Sequence, residues 1–222
     1  MPRGPKKQIP QSEVSQLIND VHGLNINART RELFLMGYAG DSQEEDPGVD
    51  YRSAGTFLKN LHILETLGRS KIIVHMQITG GEWSYGMGIY NAIQAAKSSV
   101  TIVAYAHATS MSGVILQAAD NRILMPDTHF MLHYGSLGIE STSQAVLACV
   151  EQNERDNKRM LEIFAERAVE GPHFRAKRWG VKRVSDYIDH EMRQKGDWYL
   201  SATEAVEYGF ADGVLGRDIT KV

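Results

Sequence analysis

Apolar positions recur along this chain with two alternating periods. Ala54, Phe57, Leu58, Leu61 and Leu64 follow at three- and four-residue steps, which predicts an amphipathic helix over 51–67 closed by Gly68. Residues 71–78 are apolar and β-branched and predict a buried strand, broken by Thr79, Gly80 and Gly81. Helical spacing returns over 85–97 through Met87, Tyr90, Ile93 and Ala96. Further strands are predicted over 31–36, 100–106, 122–125 and 130–134, with a helix over 111–119. Strands alternating with helices from 31 to 125 imply a parallel sheet with right-handed crossovers. The class is α/β, in one domain over 23–222.

The two ends read differently. Residues 1–22 carry Pro, Lys, Gln and Ser with weak periodicity and predict a mobile N-terminal arm with a short helix near Val14 to Val21. Residues 40–50 form an acidic loop. A long helix is predicted over 143–169, and its middle, 151–159, is almost wholly polar. A helix polar on every side has no face to bury, so this stretch is expected to project from the body. Gly171 and Pro172 end it, and a further helix is predicted over 181–193. Ser201 opens a short one through the capping-box pattern Ser201-Ala202-Thr203-Glu204.

Composition narrows the function classes. At 222 residues and 42% hydrophobic content the chain can bury a core without metals or cross-links. A net charge of −3 supplies no electrostatic reason to bind nucleic acid or a membrane surface. The single cysteine, Cys149, excludes an internal disulfide, fits a reducing compartment and is expected as a small buried apolar residue of the long helix. The basic, polar N-terminus lacks the apolar run of a secretory signal, and no stretch of about 18 apolar residues occurs. A cytoplasmic protein is expected.

Three positions could carry chemistry. Ser110 lies between a strand and a helix in Ala106-His107-Ala108-Thr109-Ser110-Met111-Ser112-Gly113. A serine there either caps the helix or presents a nucleophilic hydroxyl beside unpaired N–H groups. The Gly-x-Ser-x-Gly elbow is missing, which disfavours an α/β-hydrolase. Gly80-Gly81 follows a strand and precedes a helix, and reads as a plain turn, an oxyanion hole or a phosphate site. No Lys-Ser/Thr follows as a P-loop requires. His133 ends an apolar run and is either a structural histidine or a general base, with His75 and His107 as rivals.

Four segments in order resemble the Clp protease proteolytic subunit family. Gly80-Gly81 with Gly86-Met87, Ile89 and Tyr90 is similar to its glycine-rich strand-to-helix segment. Ala108-Thr109-Ser110-Met111 resembles its nucleophile segment. Pro126 with Met131-Leu132-His133 resembles its Pro…Met-Ile-His segment. Asp197-Trp198-Tyr199-Leu200-Ser201-Ala202, followed by Glu204-Ala205-Val206-Glu207-Tyr208-Gly209-Phe210-Ala211-Asp212, resembles its closing segment almost residue for residue. The likeness spans roughly residues 24 to 216.

The resemblance implies a ClpP- and crotonase-like fold: spiral β-α units with a protruding helical handle, here about 136–196. It implies a serine endopeptidase in which Ser110 is the nucleophile, His133 the base and Asp197 its orienting carboxylate, with Asp120, Asp186 and Asp189 as rivals to Asp197. The backbone N–H groups of Gly81 and Met111 would form the oxyanion hole, and Gly80 would touch substrate. No metal or organic cofactor is implied. The partners implied are a polypeptide substrate, further copies of the chain in a heptameric ring, single or stacked in two, and an AAA+ unfoldase that spends the ATP. A phage-type capsid- or scaffold-processing protease without an ATPase, a catalytically silent ring subunit and an acyl-CoA enzyme are the alternatives. The sequence departs from the family in a longer stretch between His133 and Asp197. That stretch includes the basic run 174–183, expected as a solvated face. It also has Thr79 where the family commonly has proline.

Overall fold

Local signals set where the elements begin and end. The computed structural model describes residues 10–36 and 48–222. Helix α1 (Gln11–Leu24) leads into β1 (Ile26–Asn27) and β2 (Glu32–Leu35). α2 (Tyr51–Leu67) starts where Asp50 and Ser53 cap each other: Ser53 N–H donates to Asp50 Oδ1 at 2.8 Å, and Asp50 N–H donates to Ser53 Oγ at 2.9 Å. β3 (Ile72–Met76), α3 (Trp83–Ala95), β4 (Val100–Ala104), β5 (His107–Thr109), α4 (Met111–Leu116), β6 (Asn121–Leu124) and β7 (His129–Leu132) follow. The chain then runs through α5 (Ser143–Ala168), α6 (Pro172–Lys177), α7 (Val181–Lys195), β8 (Trp198–Leu200), α8 (Ala202–Glu207) and β9 (Gly213–Val214).

Two sheets result. The larger has the order β1-β2-β3-β4-β6-β9, parallel from β2 onward with β1 antiparallel at its edge. All five residues of β4 are buried, as expected of a central parallel strand covered on both faces. The smaller sheet, β5-β7-β8, pairs β5 with β7 in parallel and β7 with β8 antiparallel. The strand predicted over 100–106 ends at Ala104, and after Tyr105-Ala106 the chain enters the second sheet at His107, as a strand the hydrophobic pattern did not predict. Hydrophobic periodicity does not report which neighbour a strand pairs with.

The closing segment is tied back to β6 by a buried arginine. Arg122 N–H donates to Asp212 Oδ2 at 2.7 Å, and its guanidinium donates to Gln117 Oε1 at 2.7 Å and Gly209 C=O at 2.8 Å. Burying this charge is tolerable because its donors are met.

The stretch 170–196 is packed rather than loose. Phe174, Val184, Ile188 and Met192 are buried, and α7 lies along α5. Aromatic rings knit the join: Phe174 meets Tyr187 edge-on at 5.5 Å, and Tyr187 meets Trp198 edge-on at 6.1 Å. The basic run is not simply solvated. Lys177 and Arg183 sit over the Trp179 ring at 4.8 and 4.5 Å, so two of its cations stack on an indole.

On α5 burial begins only at Met160 and continues through Ile163, Phe164, Ala165 and Ala168. The half before it exposes Leu147 and Val150, and Cys149 there is half-buried rather than the core residue expected. The N-terminal helix is also longer than predicted, 14 residues with none buried. It is tied to the body where Arg29 donates to Glu13 Oε2 at 2.8 Å and where Asn60 Nδ2 donates to Leu24 C=O at 2.5 Å. Residues 1–9 of the predicted arm and 40–47 of the acidic loop lie outside the described residues. Among the described residues no helix is long and apolar enough to cross a membrane.

Candidate active site

The small sheet carries three of the predicted residues to one end. Ser110 follows β5 directly, His133 follows β7 directly, and Asp197 precedes β8 directly. Thr109 is in register with Met131 along the parallel pair, and Leu132 with Trp198 along the antiparallel pair. One step beyond each register lie Ser110, His133 and Asp197.

Their side chains meet in a line. His133 Nε2 is 2.9 Å from Ser110 Oγ, and His133 Nδ1 is 3.0 Å from Asp197 Oδ1. The rivals are engaged elsewhere. His75 Nδ1 lies 2.8 Å from the Tyr105 hydroxyl, and its ring stacks on Phe34. His107 faces His129 across the sheet. Asp120 accepts from Val100 N–H, Asp186 pairs with Lys182, and Asp189 with Arg193.

Ser110 stands at the N-cap position of α4, but its side chain makes no cap hydrogen bond. Its backbone has φ 54° and ψ −127°, in the left-handed half of the map, where a non-glycine residue costs roughly 1–3 kcal/mol. That turn throws the hydroxyl off the helix axis toward His133. It is held by Ser112, fully buried, whose Oγ accepts from Thr109 N–H and donates to Thr109 C=O, both at 2.8 Å. Thr109 Oγ1 in turn donates to Thr79 C=O, which joins the serine turn to the glycine loop. Ser112→Ala leaves the Thr109 amide without its side-chain acceptor in a buried place. Stability is expected to fall by about 1–3 kcal/mol in chemical denaturation. A loss below about 0.5 kcal/mol would remove Ser112 from this role.

Gly80 and Gly81 are glycines for steric reasons. A Cβ on Gly80, whose φ is +150°, would lie 2.8 Å from Ser110 Cβ and 3.1 Å from its Oγ. Val49 N–H donates to Gly80 C=O at 2.6 Å, and Glu82 N–H donates to Val49 C=O at 2.9 Å. Groups of successive residues on an extended segment point to opposite edges, so the Gly81 N–H faces away from Val49. The Ser110 N–H is used by Met131 C=O at 3.0 Å. The next amide, that of Met111, opens α4 and has no intrahelical acceptor. Gly81, Ser110, Met111 and His133 all border one open cavity of about 810 Å³.

Beyond His133 a second network fixes the chain. The Tyr134 hydroxyl donates to Asp189 on α7, and Arg193 Nε donates to both Asp189 oxygens at 3.0 and 2.9 Å. Burial works to raise the Asp189 pKa, but the hydrogen bonds from Arg193 and Tyr134 outweigh it and hold the carboxyl below its usual range. Burial and the same carboxylate push the Tyr134 phenol well above its ordinary value.

The sequence model of Clp proteases matches residues 46–218. The chain belongs to the Clp protease family. It is a serine-type peptidase with the family's fold, and the residues brought together here lie inside the matched span.

The chain is 29% identical over 196 residues to ATP-dependent Clp protease proteolytic subunit 2 of Pseudomonas aeruginosa, covering 86% of this chain and 85% of that protein. It is 29% identical over 145 residues to the ATP-dependent Clp protease proteolytic subunit of Chlorella vulgaris, covering 64% and 65%. It is 28% identical over 148 residues to ATP-dependent Clp protease proteolytic subunit 2 of Rhodococcus jostii, covering 66% and 68%. The chain thus spans from about two thirds to most of the length of these relatives.

Sequence reasoning missed Ser112, the Tyr134–Asp189–Arg193 network and the α5 side chains on the cavity. Cys149, Asn153, Asp156, Met160 and Phe164 border it at helical spacing. That spacing was visible in the chain, but mixed chemistry hid the stripe from a hydrophobic period.

Proposed function

We propose that this chain is the proteolytic subunit of a Clp-type protease and that it hydrolyses peptide bonds through Ser110, His133 and Asp197. The observation that carries the reading is the continuous hydrogen-bonded line from Asp197 through His133 to Ser110, at 3.0 and 2.9 Å. In this reading the Ser110 hydroxyl attacks the scissile carbonyl carbon and passes its proton to His133 Nε2. The Nδ1–H donates to Asp197, which selects the tautomer with a free Nε2. Asp197 is about half exposed, with 52% of its side chain accessible, so water screens its charge. Its contribution is then chiefly orientation of the ring. The oxyanion accepts from the Gly81 and Met111 N–H groups, each such donor being worth about 3 kcal/mol. Collapse expels the amine, which takes the proton from His133. Water, deprotonated by the same imidazole, then releases the acyl group from Ser110.

Assembly belongs to the same proposal. α2 exposes Tyr51, Leu58, Ile63 and Leu67, and α5 exposes Leu147. Apolar side chains concentrated on surface helices of one subunit favour burial against neighbours. The relatives are named as ATP-dependent subunits. A homo-oligomeric ring, seven-membered as the resemblance implies, working with a separate AAA+ unfoldase, accommodates both facts.

A small fluorophosphonate tests the catalytic reading. Wild-type protein is expected to gain one covalent adduct, located by peptide mass mapping to Ser110. Folded, assembled protein that takes up no adduct, or takes it up at another serine, overturns the assignment.

A further inference from the structure

The cavity beside Ser110 has two kinds of wall. Its floor is apolar, built from Met111, Val114, Leu132, Met160 and Phe164, all buried. Its outer wall is the polar stretch of α5, which contributes Gln152, Asn153, Asp156 and Asn157. The carboxylates bordering the cavity are Glu82 and Asp156, and among the described residues no lysine or arginine borders it. Both arginines of this part of α5 are turned to other partners: Arg155 donates to Gln152 Oε1 at 3.1 Å, and Arg159 to Glu162 Oε2 at 3.4 Å. Asp156 accepts one amide hydrogen bond, from Gln152 Nε2 at 2.8 Å, and makes no ion pair among the described residues.

From these walls we infer that Asp156 is a specificity-determining residue that favours a lysine or arginine side chain of the substrate next to the scissile bond. Asp156 precedes Met160 by one turn of α5, about 6 Å along the axis. A long basic side chain entering beside Ser110 lays its hydrocarbon stem over Met111 and Met160 and brings its cationic head to the Asp156 carboxylate. Such side chains bury their stems while keeping the charge at a polar edge. An unpaired, half-buried carboxylate attracts that charge more strongly than one in bulk water. A leucine side chain fills the floor and leaves the carboxylate without a cationic partner. An acidic side chain would meet Glu82 and Asp156 as like charges. The polar middle of α5 thus acts as a selecting wall of the site. The inference rests on Ser110 being the nucleophile.

The test uses single-turnover inactivators, so that it does not depend on product release. Peptidyl diphenyl phosphonates are prepared that differ only in the side chain beside phosphorus, lysine-like or leucine-like, and second-order inactivation rates are measured for wild type and Asp156→Asn. The wild type is expected to prefer the lysine-like reagent, and Asp156→Asn to lower the lysine-to-leucine rate ratio about tenfold. Asp156→Lys is expected to invert the preference between them. A leucine preference in the wild type, or a ratio that moves by less than about threefold on Asp156→Asn, overturns the proposal. The small fluorophosphonate separates the two failures. If it labels Ser110 while the ratio stays flat, only the specificity claim falls. If it fails to label the wild type, the catalytic reading falls and the specificity claim falls with it.

Discussion

Ser110→Ala is expected to lower kcat for peptide hydrolysis by about 10⁵–10⁶-fold and to abolish the fluorophosphonate adduct. The reason lies in the hydrogen-bonded line. Ser110 Oγ is the atom within reach of His133 Nε2, and alanine offers nothing for the base to deprotonate. The loss corresponds to about 7–8 kcal/mol of transition-state stabilisation. What remains is the slow attack of water on a carbonyl held by the oxyanion donors. Stability should change little. Alanine inherits the same φ of 54°, and the bond it removes is one part-buried hydrogen bond worth about 1 kcal/mol. Stopped peptide assays with denaturation midpoints on the same preparations check both halves. Retention of more than about 1% of activity would mean that another group performs the attack.

Gly81→Ala should be the second largest effect. A Cβ at Gly81 would lie 2.3 Å from Val49 N and 2.4 Å from Val49 O, both backbone atoms that cannot swing away. The φ of +131° adds strain for any L side chain. The bridge between Val49 and Gly81 must therefore open, and the Gly81 amide must move with it. Displacing one oxyanion donor lowers kcat about 10²–10³-fold, with a smaller effect on KM because the donor acts mainly in the transition state. Gly88→Ala is the control. That glycine sits inside α3 with open space where its Cβ would be, so alanine should raise stability by up to about 1 kcal/mol. Equal losses of activity in the two variants would show that Gly81 matters through general folding rather than through its amide.

Much of the frame was legible because it depends on local rules. The 51–67 helix appears with its predicted bounds because Asp50 and Ser53 make a reciprocal cap, and the 143–169 helix is matched to within a residue. The capping box at Ser201 forms as its pattern requires. Errors came where a local signal could not carry the answer. The 100–106 run reads as one apolar strand, yet the chain leaves the large sheet at Tyr105 and starts a second one. Glu151 to Arg159 reads as a polar stretch projecting from the body, yet Gln152, Asn153, Asp156 and Asn157 border the cavity. Polar identity is ambiguous between water and a substrate site.

The amino-acid sequence suffices for the α/β class, for most elements from β2 to α5 and for a shortlist of reactive residues. It could not choose between Ser110 as a cap and Ser110 as a hydroxyl offered to a base. Nor could it choose among three histidines, or among four aspartates. Only the tertiary structure brings one serine, one histidine and one aspartate into a hydrogen-bonded line, by setting Thr109 against Met131 and Leu132 against Trp198. The physical reason is range. Caps, turns and hydrophobic periods act within about one turn of helix or a few residues of strand. A hydrogen bond between residues 23 or 64 positions apart exists only once strand pairing has fixed the register.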